Sequence, residues 1–353
     1  MTQSKPSFGM LSSENTDIKV AFNNTTMFVG VVCYDSNPKA LVVSDSRRDA
    51  NLDADDSFLF IIDTYNDQQN GFLFGTNSAG VEYDAQIDNE GVGNRTAQRQ
   101  QGGVIGGTNL NWDAAWEVKT EVGDYGWSAE FAIPLNSIRF NQGQNKTWGI
   151  NFQRNIIKSN EISFWAPLPL GFNFNIKRVS LAGKMDGLSL KKPGNLKFLP
   201  YTLIQFTNNE KVENFSSNID IGADMKYSIT PSLTLDLTYN TDFAQAEVDN
   251  QQVNLDRFNL FYPEKRSFFL ENAGLFSVGS PGEIDLFFSR KIGISETGSV
   301  VPIKGGGRLS GKVGNTNIGV LSMSTDEILD SNIKKNNFYI TRVNHNFTNS
   351  RSS

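Results

Sequence analysis

Two patterns of alternating hydrophobic and polar residues divide the chain. From Asp17 to about Arg178, short apolar segments are split by Asn/Asp/Gly turns. Ile18, Val20 and Phe22 alternate with polar residues, Asn23-Asn24-Thr25 breaks the pattern, and Thr26–Tyr34 resumes it, which predicts a hairpin. Phe58–Ile62 and Phe72–Phe74 are unbroken apolar runs, as in strands covered on both faces. The Gly/Gln/Arg-rich stretch from Glu90 to Asn109 is too polar for core and predicts a loop. Segments starting at Trp116, Trp127 and Trp148 return to a period of two. Strands of this length and spacing predict an antiparallel β-sandwich over residues 15–185, preceded by a flexible N-terminus at 1–14. A linker is expected around Gly183–Asn195, where Gly187, Lys191, Lys192, Pro193 and Gly194 accumulate.

After the linker the segments lengthen. Ile219, Ile221, Ala223, Met225, Tyr227 and Ile229 alternate with Asp220, Gly222, Asp224, Lys226 and Ser228. Thr230-Pro231 turns the chain, and Leu233, Leu235, Leu237 and Tyr239 alternate with Thr234, Asp236, Thr238 and Asn240. Roughly ten alternating residues is the span of a strand tilted across a bilayer, whereas soluble strands average about 5–6. Directing Asp224, Lys226 and Asp236 to a wet lumen and the apolar set to lipid satisfies both faces. Val301–Val313 and Thr316–Thr325 repeat the arrangement around Val313-Gly314-Asn315, and 196–208, 283–292 and 337–347 read as further strands. About seven strands, an odd number, predict an incomplete barrel over 186–353 whose missing parts lie outside this sequence, because single-chain bacterial barrels are even-numbered. A large soluble sandwich or soluble barrel is the competing reading of this half. The 241–282 insert is expected to be a plug: Phe258, Phe261, Phe268, Phe269 and Phe276 anchor it while Asp242, Glu247, Asp249, Glu264, Lys265, Arg266 and Glu271 pair across the lumen. The fold class expected is therefore all-β, a sandwich followed by an incomplete outer-membrane-type β-barrel.

Composition narrows the chemistry. Net charge is −6 and the acid is spread along the chain, which argues against nucleic acid. The single cysteine, Cys33, excludes an intramolecular disulfide, and its apolar setting predicts a buried thiol. With His345 the only histidine, zinc sites and histidine-based triads are not expected. There is no apolar run of about 18 residues, and Met1–Asn15 carries no secretion signal. Taken alone this suggests the cytoplasm. The barrel pattern reverses it, placing the protein in the outer membrane with a periplasmic sandwich and a secretion signal outside this sequence.

The stretch Tyr239-NTDFAQAEVDNQQVNLDRFNLFYPEKRSFFLENAGLF-Ser277, with Leu286–Gly293, Val301–Gly314 and Arg342-Val343, resembles a particular outer-membrane barrel domain of unknown function. In Bacteroidota and some Proteobacteria that domain follows one like carbohydrate-binding module family 9. Asp56-Ser57, Asp63–Asp67, Trp112-Asp113, Gly126–Glu130, Ile133–Leu135 and Trp148-Gly149 resemble the family 9-like domain more loosely. The resemblance implies a fold, a link to carbohydrate catabolism, and a site that holds a sugar between two tryptophans. In this sequence neither Asp49–Asp55 nor Leu168–Phe174 contains tryptophan, and Phe172 and Phe174 stand in for the second. Some members also hold structural calcium.

Among the tryptophans, Trp127 and Trp148 read as core, while Trp112 and Trp165 are the candidate sugar platform because an exposed indole face stacks on sugar C–H bonds. Asp56, Asp63 and Asp67, from an acidic set that includes Asp53, Asp55, Asp84 and Asp88, are the candidate calcium ligands. Their spacing is not that of an EF-hand, and solvated turn carboxylates are the default. Glu247 and Glu264 are the candidate catalytic carboxylates if the protein cleaves O-glycosyl bonds, which takes an acid and a second carboxylate roughly 5–9 Å away. The leading reading is an outer-membrane protein whose sandwich engages a glycan or oligosaccharide, with membrane lipid around the barrel. A transport or secretion barrel with a gating sandwich that docks a protein is the second reading, and a glycoside hydrolase is the third.

Overall fold

The alternating segments of the first half pair antiparallel into two sheets that enclose a core of interleaved aromatic rings. A computed structural model describes residues 1–91, 104–105, 107–110, 112–169, 176–191, 196–209, 214–230, 232–241, 264, 266–276, 287–294, 301–328 and 333–345. The chain divides into two units, Met1–Gly93 with Ile105–Pro193 and Asn94–Val104 with Gly194–Ser353.

The sheets of the first unit contain β1 (Thr2–Lys5), β2 (Thr16–Phe22), β3 (Thr26–Tyr34), β4 (Ser57–Asp63), β5 (Gly71–Asn77), β6 (Tyr83–Ile87), β7 (Val104–Ile105, where the unit boundary falls) and β8 (Thr108–Asn109). They continue with β9 (Glu117–Gly123), β10 (Gly126–Pro134), β11 (Gly143–Ile156), β12 (Glu161–Phe164) and β13 (Gly183–Leu190). The smaller sheet has the order β2-β3-β10-β9, and the larger runs β1-β12-β11-β4-β5-β6-β8-β7 with β13 also on β11. The predicted hairpin forms with Ile18 opposite Val31, and the Asn23 side chain accepts the backbone N–H groups of Thr25 and Thr26 to close the turn.

Period two decides which side chains meet. Met27, Val29, Val31 and Cys33 of β3 and Trp127, Ala129, Phe131 and Ile133 of β10 face Phe58, Phe60 and Ile62 of β4 and Phe72 and Phe74 of β5. Leu59, Ile61 and Leu73 point the other way, into a second cluster with Ala85, Ile87, Phe164 and Val179. The unbroken apolar run of β4 is therefore buried along its whole length, as a doubly covered strand must be.

Two expectations are corrected here. Residues 1–14 are not a loose tail, because β1 pairs with β12 and carries Thr2 opposite Phe164. The expected linker begins too early, because Gly183–Leu190 is a strand whose Met185 pairs with Trp148. The Gly- and Lys-containing start of the expected linker is tied down by backbone pairing to a long neighbour.

The second unit is one antiparallel sheet of consecutive neighbours: β14 (Leu196–Asn209), β15 (Asn214–Thr230), β16 (Leu233–Tyr239), β17 (Ile303–Val313), β18 (Thr316–Thr325) and β19 (Asn337–His345). Gly314, with φ +58°, makes the tight turn from β17 to β18 that a side chain would strain. Among the described residues the sheet is open, with β14 and β19 at its edges. The strand expected over 283–292 is not formed where it is described: Ser289–Lys291 is a short 3-10 turn that buries Ile292.

The two faces of this sheet differ in charge. By register, Lys197, Asp220, Asp224, Lys226, Asp236, Arg308, Lys312 and Arg342 share one face. The rows on the other face read Leu196–Tyr227–Leu235–Leu309–Val320–Thr341 and Phe198–Met225–Leu237–Gly307–Ser322–Tyr339, with Ile204, Ile219, Ile221 and Val343 further along. No paired position on that face is charged; exposed Lys304 sits at the bulge beside Ile303, outside the paired register.

Candidate functional site

Trp165 follows β12, the short strand that Phe164 closes against Gln153. Its backbone N–H donates to Phe152 O at 3.0 Å. The Asn151 amide clamps the next residue in both directions, accepting from Ala166 N at 2.8 Å and donating to Ala166 O at 3.0 Å. The indole stands edge-on to Phe152 with centroids 5.8 Å apart and rests over Gly183, where a Cβ would lie 2.1 Å from Trp165 Cζ3. It is nevertheless 47% exposed. An aromatic face fixed by backbone and glycine on one side and open on the other can stack on the C–H face of a sugar ring. Phe172 and Phe174, its expected companions, lie outside the described residues. The supporting Asn151 and Gly183 were not singled out from the sequence. The small residue opening the presumed linker was the only hint of Gly183.

Trp112 must be removed from the platform. It is buried against Phe72, with centroids 4.9 Å apart, and against Phe74. The reason is period two extended backwards from β9: Trp112, Ala114 and Trp116 are buried while Asp113 and Ala115 are exposed. Trp116 stacks on Phe131 and gives its indole N–H to Asp84 Oδ1 at 3.1 Å.

Asp84 heads an ionic network the sequence reading did not assemble. Arg48 contacts Asp84 at 2.7 Å and Asp113 at 2.6 Å, and pairs also with Glu82 and Asp49. Ala114 N donates to the second Asp84 oxygen at 2.9 Å. Burial outweighs these donors and pushes the Asp84 carboxyl up to about 6. The network ties the β6 carboxylate to the loop before β9, which is a packing role.

The three candidate calcium ligands do not converge. Asp56 immediately precedes β4 and Asp63 ends it, roughly 23 Å apart at about 3.3 Å per residue. Asp56 accepts from Val42 N and Ile157 N at 2.7 and 3.1 Å. Asp63 accepts the backbone N–H groups of Tyr65, Asp67 and Gln68, while Asp67 accepts those of Gln69 and Asn70. These oxygens are occupied organising turns, and among the described residues no group of three acidic, histidine or cysteine side chains could hold a metal ion. Burial, then the charge of neighbouring Asp67, pushes Asp63 up to about 7.

In the second unit the charged sheet face is covered by Arg266–Phe276, which includes the single helical turn α1 (Ser267–Leu270). Arg308 donates to Asp236 Oδ2 at 2.7 Å and to the carbonyls of Phe268 and Glu271; the last bond is 2.5 Å. Lys226 Nζ meets Glu271 Oε1 at 2.5 Å, and Arg342 donates to Gly274 O at 2.9 Å. Phe268, Phe269 and Phe276 bury themselves with Leu321 and Met323 of β18. Of the catalytic candidates, Glu264 is fully buried, in a two-point pair with Arg266 at 2.6 and 2.7 Å and accepting from Ser289 at 2.7 Å. No face of it is open to a glycosidic bond, so it is corrected to a structural anchor. Glu247 lies outside the described residues.

Comparison with known proteins gives one family match: the model described as "Domain of unknown function (DUF5916)" matches residues 192–309. No curated protein matches the chain. Solved structures are also similar to the chain in part. A Bacteroides uniformis protein described as carbohydrate-binding aligns at 12% identity over 49% of this chain and 78% of its own, with a TM-score of 0.37. A family 9 carbohydrate-binding module from Caldicellulosiruptor kristjanssonii, solved with cellotriose, aligns at 15% identity over 51% of this chain and 78% of its own, with a TM-score of 0.34.

Proposed function

We propose that this chain is an outer-membrane-type anchor carrying a carbohydrate-binding sandwich. The observation that carries the reading is the charge segregation in the six-stranded sheet: eight charged side chains share one face, and none occupies a paired position on the other. A protein in water gains nothing by exposing Phe198, Ile204, Ile219, Ile221, Tyr339 and Val343 while covering Asp236 and Arg308. In a bilayer the same arrangement satisfies both sides, because the apolar face replaces lipid contacts and the polar face keeps its hydrogen bonds inside. The dimensions agree. Ile219 to Ile229 of β15 spans roughly 34 Å at about 3.4 Å per residue, or about 26 Å along the normal at a tilt of ~40°, close to the ~25 Å apolar band of such barrels.

Glycan binding is assigned to the first unit, at the indole of Trp165. The anchored but open ring supports this reading. Two measurements test the two halves. Flotation of the protein with phospholipid vesicles, resistant to high salt and alkaline carbonate, is expected; quantitative recovery in the soluble fraction overturns the membrane reading. A glycan array should show binding that Trp165→Ala removes. Failure of the wild type to bind any glycan overturns the sugar reading without touching the first.

A further inference from the structure

The covered face of the second unit contains a pair of cations whose present partner is part of the chain's own insert. Lys226 of β15 and Arg308 of β17 belong to different strands, with Asp236 of β16 between them in the same row. Both converge on Glu271, Lys226 at 2.5 Å from Oε1 and Arg308 at 3.8 Å from Oε2. Glu271 is the only carboxylate in Arg266–Phe276. Arg308 is held in place from behind by Asp236 through Nε and Nη2, so its Nη1 is the nitrogen left pointing at the insert, where it takes the Phe268 and Glu271 carbonyl oxygens. If the insert turn moved away, Lys226 would lose a carboxylate and Arg308 two acceptors. The vacated place would present one ammonium and one fixed guanidinium edge to whatever entered. That donor set fits an oxyanion with two or more oxygens, because guanidinium N–H groups favour such acceptors and the ammonium adds an undirected charge.

We propose that Lys226 and Arg308 form an anion-binding seat on this face, occupied at rest by Glu271 as an internal ligand, and that carboxylated or sulfated solutes are its external ligands. Arg266–Phe276 is accordingly a self-bound cover of this face. Its other attachments are Phe269 and Phe276 against Leu321 and Met323 and the bonds from Arg342 to the Gly274 and Leu275 carbonyls, and they act as the hinge side that stays in place when the ionic side is displaced. The proposal rests on this face being the inner wall of a membrane unit. Its test is made in detergent solution, so its failure is separate from failure of vesicle flotation.

The experiment is hydrogen–deuterium exchange of the full chain in neutral detergent, reading the peptide that contains Phe269–Phe276. For the wild type, sodium sulfate should accelerate exchange in this peptide by about tenfold more than sodium chloride at equal ionic strength, because a divalent oxyanion competes for the seat and chloride only screens. Sodium glucuronate should act like sulfate and glucose should not act at all. In Glu271→Gln the peptide should exchange about tenfold faster without any added anion. In Lys226→Met the difference between sulfate and chloride should vanish while the strand peptides of β17 and β18 keep wild-type protection. Equal effects of sulfate and chloride on the wild type overturn the proposal, and that arm needs no variant to fold. Unchanged exchange in Glu271→Gln with the strands intact also overturns it.

Discussion

Leu237→Arg separates a lipid-facing surface from a water-facing one more sharply than any other single change in the second unit. Leu237 lies on the uncharged face, opposite Met225 on β15 and Gly307 on β17, and is 38% exposed. Along β15 the apolar positions run from Ile219 to Ile229, so the row of Met225 and Leu237 lies about one residue from their midpoint. In water an arginine at such a place changes stability by about 0.5 kcal/mol or less, since its charge stays solvated. At a bilayer midplane the same arginine costs ~2–4 kcal/mol, or roughly thirty- to a thousandfold in the folding equilibrium, and the penalty falls to ~0–1 kcal/mol near the interfaces. Val343 lies in the row of Ile318 and Gly311, towards one end of the belt, so Val343→Arg should show the small interfacial cost. The assay is denaturant unfolding of the protein folded into phospholipid vesicles, with Val122→Arg on exposed β9 of the first unit as the neutral control. Leu237→Arg and Val343→Arg of equal effect, or a Leu237→Arg penalty below about 0.5 kcal/mol, refute the reasoning.

Three further outcomes follow from the first unit. Phe60→Ala removes a fully buried ring packed on Phe74 at 5.5 Å and Phe131 at 5.1 Å, and should lower the stability of this unit by ~3–5 kcal/mol, seen by calorimetry as a fall of roughly 10–15 °C in its transition. Gly183→Ala forces the Trp165 ring off its seat and should weaken binding of any array-positive oligosaccharide by about tenfold or more in Kd, with unchanged affinity excluding Trp165 as the platform. Asp63, pushed up to about 7 in the folded state against about 3.9 unfolded, holds its proton more tightly when folded. Its contribution is therefore favourable below pH 4 and is lost as pH rises to 7 and beyond. Asp63→Asn should flatten the stability profile between pH 4 and 7, and denaturation curves with the same slope as wild type would reject the assignment.

Much of the architecture is legible in the chain itself, because strands write their burial as a period of two. The β2–β3 hairpin, the doubly buried β4 and the division of β15 and β16 into a charged and an apolar face all follow from which residues alternate. The same rule, read one segment further, contained the burial of Trp112, since Trp112, Ala114 and Trp116 share a parity. Composition misled where pairing was non-local. Nothing in the first residues announces that β1 closes on β12, more than 150 positions away. Nothing in a Gly- and Lys-containing stretch announces that β13 lies beside Trp148.

Sites depended still more on the third dimension. The acidic residues near Asp56 look like a ligand set because they are close in sequence. A strand then carries Asp56 and Asp63 to opposite ends, and backbone N–H groups take up their oxygens. Conversely, Arg48 with Asp84 and Asp113, and Lys226 with Glu271 and Arg308, are assembled from positions tens of residues apart. Sequence determines the faces of each strand, since alternation is local and burial rewards it directly. Only the tertiary structure decides which charges meet, because ion pairs form across strands whose order and register no single segment encodes.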